Sequence, residues 1–344
     1  MSRTYKYISA DSHLEVPFDR WTHRVPAQYR DRAPRVVQLP EGGDAWVVEG
    51  RPLYYVGPDI CAKPYEEWAP YGVSYSDSAG TGPPEQRLRE QDADGVDAEV
   101  LFASVLSHVF MRSINDDAAY LAVLRAWNDW VVEEYCAVDP DRLLSVGLIP
   151  TTGIESALAE LEHCARSGMK AVTLFAYPSS LTYPTPDDDR FWAAVIDADM
   201  PLTIHVQMGV GEGGGPSARN FKYEIEPKQM TNILSQGIVS RVARYGIRGA
   251  LNVTQLTMSG VFDRFPKLRV YMAENQIGWI PHFLEQADTQ YQRHRHWAER
   301  LLGFKPLSRL PSEYIREHVS WGLMYNPVGV QLRHMIGVDK IMWT

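Results

Sequence analysis

The sequence has few of the features that mark a secreted, membrane-bound or nucleic-acid-binding protein. Its 344 residues include three cysteines, Cys61, Cys136 and Cys164, an odd number at no metal-like spacing. They read as reduced thiols in a cytoplasmic protein. No apolar stretch approaches the roughly 18–20 residues needed to span a bilayer. The start, Met1-Ser2-Arg3-Thr4-Tyr5-Lys6, lacks the apolar segment of a secretory signal. Lys and Arg are nowhere clustered and the formal charge is −9, which argues against a polyanion partner. There is no G-x-S-x-G elbow, no P-loop and no zinc-type cysteine pair. What remains is an ordinary globular composition, 45% hydrophobic and 22% charged, enough for one large domain or two small ones. The sequence leaves a homo-oligomer open.

Short apolar runs recur along the chain, separated by amphipathic helical stretches. The runs are Tyr7–Ala10, Asp97–Phe102, Leu143–Ile149, Lys170–Phe175, Leu202–Val206, Leu268–Ala273, Val319–Leu323 and Lys340–Trp343. Gly95 and Gly168 stand where helix C-caps belong, just before the second and fourth runs. Repeated βα units with continuous apolar strands mean a parallel sheet, and eight of them predict a (β/α)8 TIM barrel. A doubly wound sheet is the second choice. Residues 14–95 form a long insertion after strand one, rich in aromatics, with a hairpin over Ala45–Tyr54. An insertion after a barrel strand belongs on the C-terminal face, so this one is expected as a lid over the active site. Residues 1–344 are thus read as a single barrel domain, cut short at strand eight because the sequence ends at Thr344 without an eighth helix.

Function in such a fold sits at the C-terminal strand ends. Asp11-Ser12-His13 leaves the first run, and alternation along a strand points positions 11 and 13 the same way. A carboxylate and an imidazole converging there can seat a divalent cation, and they suit zinc, iron or manganese. On its own the triplet reads as a turn with a capping histidine, and the metal reading takes its weight from what recurs downstream. His205 and Glu274 sit at the ends of strands five and six. A buried carboxylate at a strand end costs free energy unless it is paired or metal-bound. The alternative for Glu274 is a favourable charge before a helix opening at Ile277. His108, after strand two, faces substrate on this reading, or is a loop residue. Gly209-Val210-Gly211-Glu212-Gly213-Gly214 matches G-x-G-x-x-G, but no apolar-faced helix follows and Glu212 stands where phosphate belongs. His294 and His296 lie two apart on a helix and read as solvated.

Ile8–Pro17 resembles the opening motif of the amidohydrolase-related enzymes close to aminocarboxymuconate-semialdehyde decarboxylase. Ser259–Val270 is similar to that family's approach to strand six nearly residue for residue. Asn128-Asp129-Trp130, Asp139-Pro140-Asp141-Arg142 and Ile336–Trp343 are similar too. The resemblance implies a divalent-metal (β/α)8 barrel whose ligands here are Asp11, His13 and His205, zinc being the first choice of ion. The family's aspartate after strand eight would lie past Thr344, which adds to the reading of a chain truncated at its C-terminus. Where the decarboxylases have an acid/base histidine, this chain has Glu274. A carboxylate there suits a base acting on water and repels a substrate carboxylate. The expectation is therefore a metal-dependent hydrolase of a small organic molecule. Its rivals are a non-oxidative decarboxylase of an aromatic or unsaturated acid, and an inactive barrel that only binds ligand.

Overall fold

Every apolar run became a strand. In the computed structural model, which describes residues 3–38, 40, 42–49, 51–54, 63–68, 74–104, 107–209, 242 and 247–344, the strands are β1 (Ile8–Leu14), β2 (Arg35–Gln38), β3 (Asp44–Val48), β4 (Arg51–Tyr54), β5 (Ala98–Ala103), β6 (Leu143–Leu148), β7 (Ala171–Thr173), β8 (Leu202–His205), β9 (Val270–Ala273), β10 (Val319–Leu323) and β11 (Ile341–Trp343). Eight of them form one sheet in the order β1-β5-β6-β7-β8-β9-β10-β11. The paired strands run parallel. Parallel neighbours in sequence order, joined by helices, are the arrangement of a (β/α)8 barrel. Cys61, Tyr55, Tyr71 and the Gly-rich segment beyond Gly209 lie outside the described residues.

The chain packs as two compact units, one carrying β1–β6 and the other β7–β11. In the first, the insertion folds into 3-10 turns and the antiparallel sheet β2-β3-β4, with Val48 opposite Arg51 as the expected hairpin requires. Its aromatics divide. Trp21 and Trp46 are fully buried. Trp46 packs on Phe18 at 4.2 Å and on Phe110 at 4.3 Å, and Trp21 meets Trp127 edge-on at 5.6 Å. Each such ring removes roughly 150–250 Å² from water, so this cluster is a core rather than a ligand-facing wall. Among the described residues of the insertion, Tyr65 and Trp68 are exposed aromatics.

Two of the motifs noted in the sequence hold strands in this unit. The fully buried Asn128 amide donates to Leu148 O at 3.0 Å and accepts from Leu148 N at 2.9 Å, tying its helix (Asp117–Trp130) to the end of β6. Arg142 donates to the carbonyls of Val96 and Asp97, just ahead of β5. Gly95 caps the helix Pro84–Asp94 with φ +72°, as its position predicted.

In the second unit Phe191, Trp192, Phe262, Tyr314 and Trp321 are buried side chains. The family-like stretch earns its sequence here. Gly260 turns the chain at φ +70°, and Arg264 pairs with Asp189 through two contacts of 2.8 Å. The long helix runs from Ile280 to Leu302, starting three residues later than expected, with Trp279 at its N-cap. Among the described residues no helix is long and apolar enough to cross a membrane.

Candidate metal centre

The site begins at an irregularity in β1. Ser9 pairs with Glu99 but Ser12 pairs with Leu101, so the register shifts between them. A bulge of this kind re-aims side chains. On one side of the strand, the Asp11 carboxylate is buried and His13 Nε2 stands 3.6 Å from Asp11 Oδ1. His13 Nδ1 lies 2.8 Å from Ala103 O. A carbonyl can only accept, so Nδ1 carries the proton, and a neutral ring keeps its lone pair on Nε2, facing Asp11. Metal-binding histidines are held in this way, the far nitrogen fixed by a backbone carbonyl.

Side chains on the other side of β1 hold it in place. Ser12 Oγ donates to Glu99 Oε1 at 3.0 Å, Gln91 Nε2 donates to Glu99 Oε2 at 2.6 Å, and Arg87 grips both carboxylate oxygens at 2.7 and 3.0 Å. Burial is the largest single influence and opposes the Arg87 charge, but the hydrogen bond to Glu99 and the surrounding negative charge, Glu99 first, together outweigh it and hold the guanidinium pKa above its usual value. The sequence signal for this clamp is Glu99, a charged residue inside the otherwise apolar stretch of the run Asp97–Phe102.

β8 ends at His205, which pairs in register with Ala273 of β9, so Glu274 follows on the neighbouring strand. Both side chains are half-buried. The helix after β9 does not open until Ile280, so Glu274 lies outside its first turn and the capping alternative falls away. His108 lies half-buried on the short helix Ser107–Arg112. His294 and His296 are exposed, as expected.

Asp11, His13, His205 and Glu274 each offer one donor atom, and these atoms all lie within 4.8 Å of one another. His108 is not one of the group. Two imidazoles and two carboxylates, three of the four residues being only half-buried, make a donor set that fits a borderline or hard divalent ion such as zinc, iron(II) or manganese. The cavity of about 400 Å³ lined by Thr257, Phe283, Gln290, Tyr291 and Ile315 contains none of the four.

A sequence profile described as amidohydrolase matches residues 18–344. The gamma-resorcylate decarboxylase of Rhizobium sp. (strain MTP-10005) is 23% identical over 269 residues, 75% of this chain and 74% of the relative. Among solved structures, an amidohydrolase from Mycobacterium avium subsp. paratuberculosis K-10 superposes with a TM-score of 0.70 at 17% identity, covering 99% of this chain and 89% of that one. The 5-carboxyvanillate decarboxylase of Novosphingobium aromaticivorans DSM 12444, complexed with manganese and 4-hydroxy-3-methoxy-5-nitrobenzoic acid, gives 0.60 at 20% identity, covering 77% and 70%. The low identities to the solved structures establish the fold alone, but the profile spans nearly all of the sequence. The chain belongs to the amidohydrolase family.

Proposed function

We propose that the protein is a divalent-metal enzyme that removes a carboxyl group, without redox chemistry, from a hydroxy-substituted aromatic acid. The observation that carries this is the convergence of Asp11, His13, His205 and Glu274, in a chain whose relative is named as a decarboxylase of that substrate class. Asp11, His13 and His205 would hold the ion, with manganese, zinc or iron fitting the donors. When bound, such an ion supplies positive charge that orients and polarises substrate oxygens. The ring carbon that loses carbon dioxide must gain a proton, and on this reading Glu274, whose carboxyl oxygen lies within 4.8 Å of the other donor atoms, delivers it. His108 is read as a contact for the substrate. The product leaves with one C–H bond in place of one C–C bond.

A second reading rests on Glu274 itself. As a general base taking a proton from an attacking water, Glu274 would favour hydrolysis, the reaction its residue type suggests. The two are separated by product. Manganese-loaded protein is incubated with hydroxy-substituted benzoates, and with their esters and amides, while evolved carbon dioxide and released acid are both followed. Carbon dioxide from the free acids supports the carboxy-lyase. Acid from the esters or amides, without carbon dioxide, replaces it with the hydrolase.

A further inference from the structure

β8 and β9 end in the same unusual way. Val206, directly after His205, has φ +58°, and Glu274, directly after Ala273, has φ +52°; Gln276 follows at +51°. A left-handed conformation is uncommon for any residue with a Cβ and a genuine outlier for a β-branched one. At Val206 the chain also folds tightly, the Gln207 N–H returning to His205 O at 2.7 Å in a γ-turn. Backbone of this kind persists only where its surroundings over-determine it.

Asn275 supplies the constraint. It is fully buried between two left-handed residues. Its Nδ2 donates to Val206 O at 3.1 Å and to Ala273 O at 2.8 Å, so one amide joins the exits of both strands. Its Oδ1 accepts from Gly249 N at 3.0 Å, at the start of the helix Ala250–Met258. Its backbone carbonyl accepts from Trp279 Nε1 at 2.8 Å. Two glycines leave room for the arrangement. A Cβ on Gly249 would stand 2.2 Å from Asn275 Oδ1, and one on Gly322 would stand 2.8 Å from Glu274 N.

We propose that Asn275 is a positioning residue: its side-chain amide holds the strained exits of β8 and β9 so that His205 and Glu274 leave their strands toward one point. The inference rests on reading those two residues as part of the metal centre. It predicts that Asn275 governs metal affinity although it is not a ligand.

The test compares Asn275→Ala, Val206→Gly and the double variant with the unaltered protein. Manganese affinity is read by competition with a chromophoric chelator, and amide hydrogen exchange is read at Gln207. Groups outside the ligand set that orient the ligands are worth about 10–100-fold in metal affinity, and a loss of that order is expected for Asn275→Ala, with faster exchange at Gln207. Glycine adopts a left-handed φ without strain, so Val206→Gly in the Asn275→Ala background should recover part of both losses. A role in packing alone would give no recovery, and that result overturns the proposal. So does an Asn275→Ala protein with unaltered affinity and exchange. Should Asn275→Ala fail to fold, Gly249→Ala, which presses on Asn275 Oδ1, replaces it in the same comparison. If the unaltered protein binds no manganese, the metal reading fails separately, and exchange at Gln207 decides the clamp.

Discussion

Arg87 holds Glu99 by two contacts, Nε to Oε2 at 2.7 Å and Nη2 to Oε1 at 3.0 Å, behind the strand that carries Asp11 and His13. Both side chains are largely buried, with 14% and 11% of their surface exposed. Removing one member of such a pair leaves the other charge uncompensated, at a cost of about 3–5 kcal/mol. Glu99→Ala should therefore lower the free energy of unfolding by about that amount in a urea titration. Replacing Arg87 and Glu99 together with apolar residues of similar volume should cost less than either single change. A double variant as unstable as the worse single one would contradict this.

Gly322 lies against the exit of β9. A Cβ there would meet Tyr271 Oη at 2.7 Å and Glu274 N at 2.8 Å. Backbone cannot give way as a flexible side chain can, so Gly322→Ala should destabilise by about 1–3 kcal/mol through overpacking. It should also reduce turnover more than stability alone explains, because Glu274 is displaced. A fully active Gly322→Ala protein would detach Glu274 from the chemistry.

His318 gives the protein a pH dependence. Its ring stacks on Phe262 at 4.4 Å, nearly parallel, and its Nδ1 donates to Leu268 O at 2.8 Å. Burial is the main cause that pulls its pKa below the usual histidine value. The unfolded chain then binds a proton that the folded one resists, so the stability His318 contributes is complete above the unfolded value, about 6.5, and falls as pH drops below it. Thermal unfolding from pH 7.5 to 5 should show this decline, and His318→Asn should flatten it. Equal slopes for the two proteins would place the titration elsewhere.

The strands were legible because each is a short apolar run behind a helix end, and Gly95 marks one such end with the φ that only glycine adopts freely. His13, His205 and Glu274 were legible as polar residues where such runs stop. The stretches with the strongest family likeness hold the fold: Asn128 anchors β6, Arg142 fixes the lead into β5 and Arg264 binds Asp189. Asn275 was not legible. It carries no motif, and its role depends on Val206, a residue whose preference for strands hides the left-handed turn it makes. The bulge in β1 was invisible for the same reason, since alternation alone already pointed Asp11 and His13 together. The burial of Trp21 and Trp46 was not legible, because sequence position does not distinguish a ring facing a ligand from one packed on Phe18 or Phe110.

The proposed metal centre gathers four residues from three strand ends, Asp11 and His13 on β1, His205 on β8 and Glu274 just past β9. Equilibrium dialysis against manganese and against zinc, with metal counted per chain, tests it most directly. The account predicts about one tightly held ion per chain in the unaltered protein, lost in His13→Ala and in His205→Ala while both variants keep their far-ultraviolet circular dichroism. Folded variants that retain the ion after losing either histidine would contradict it.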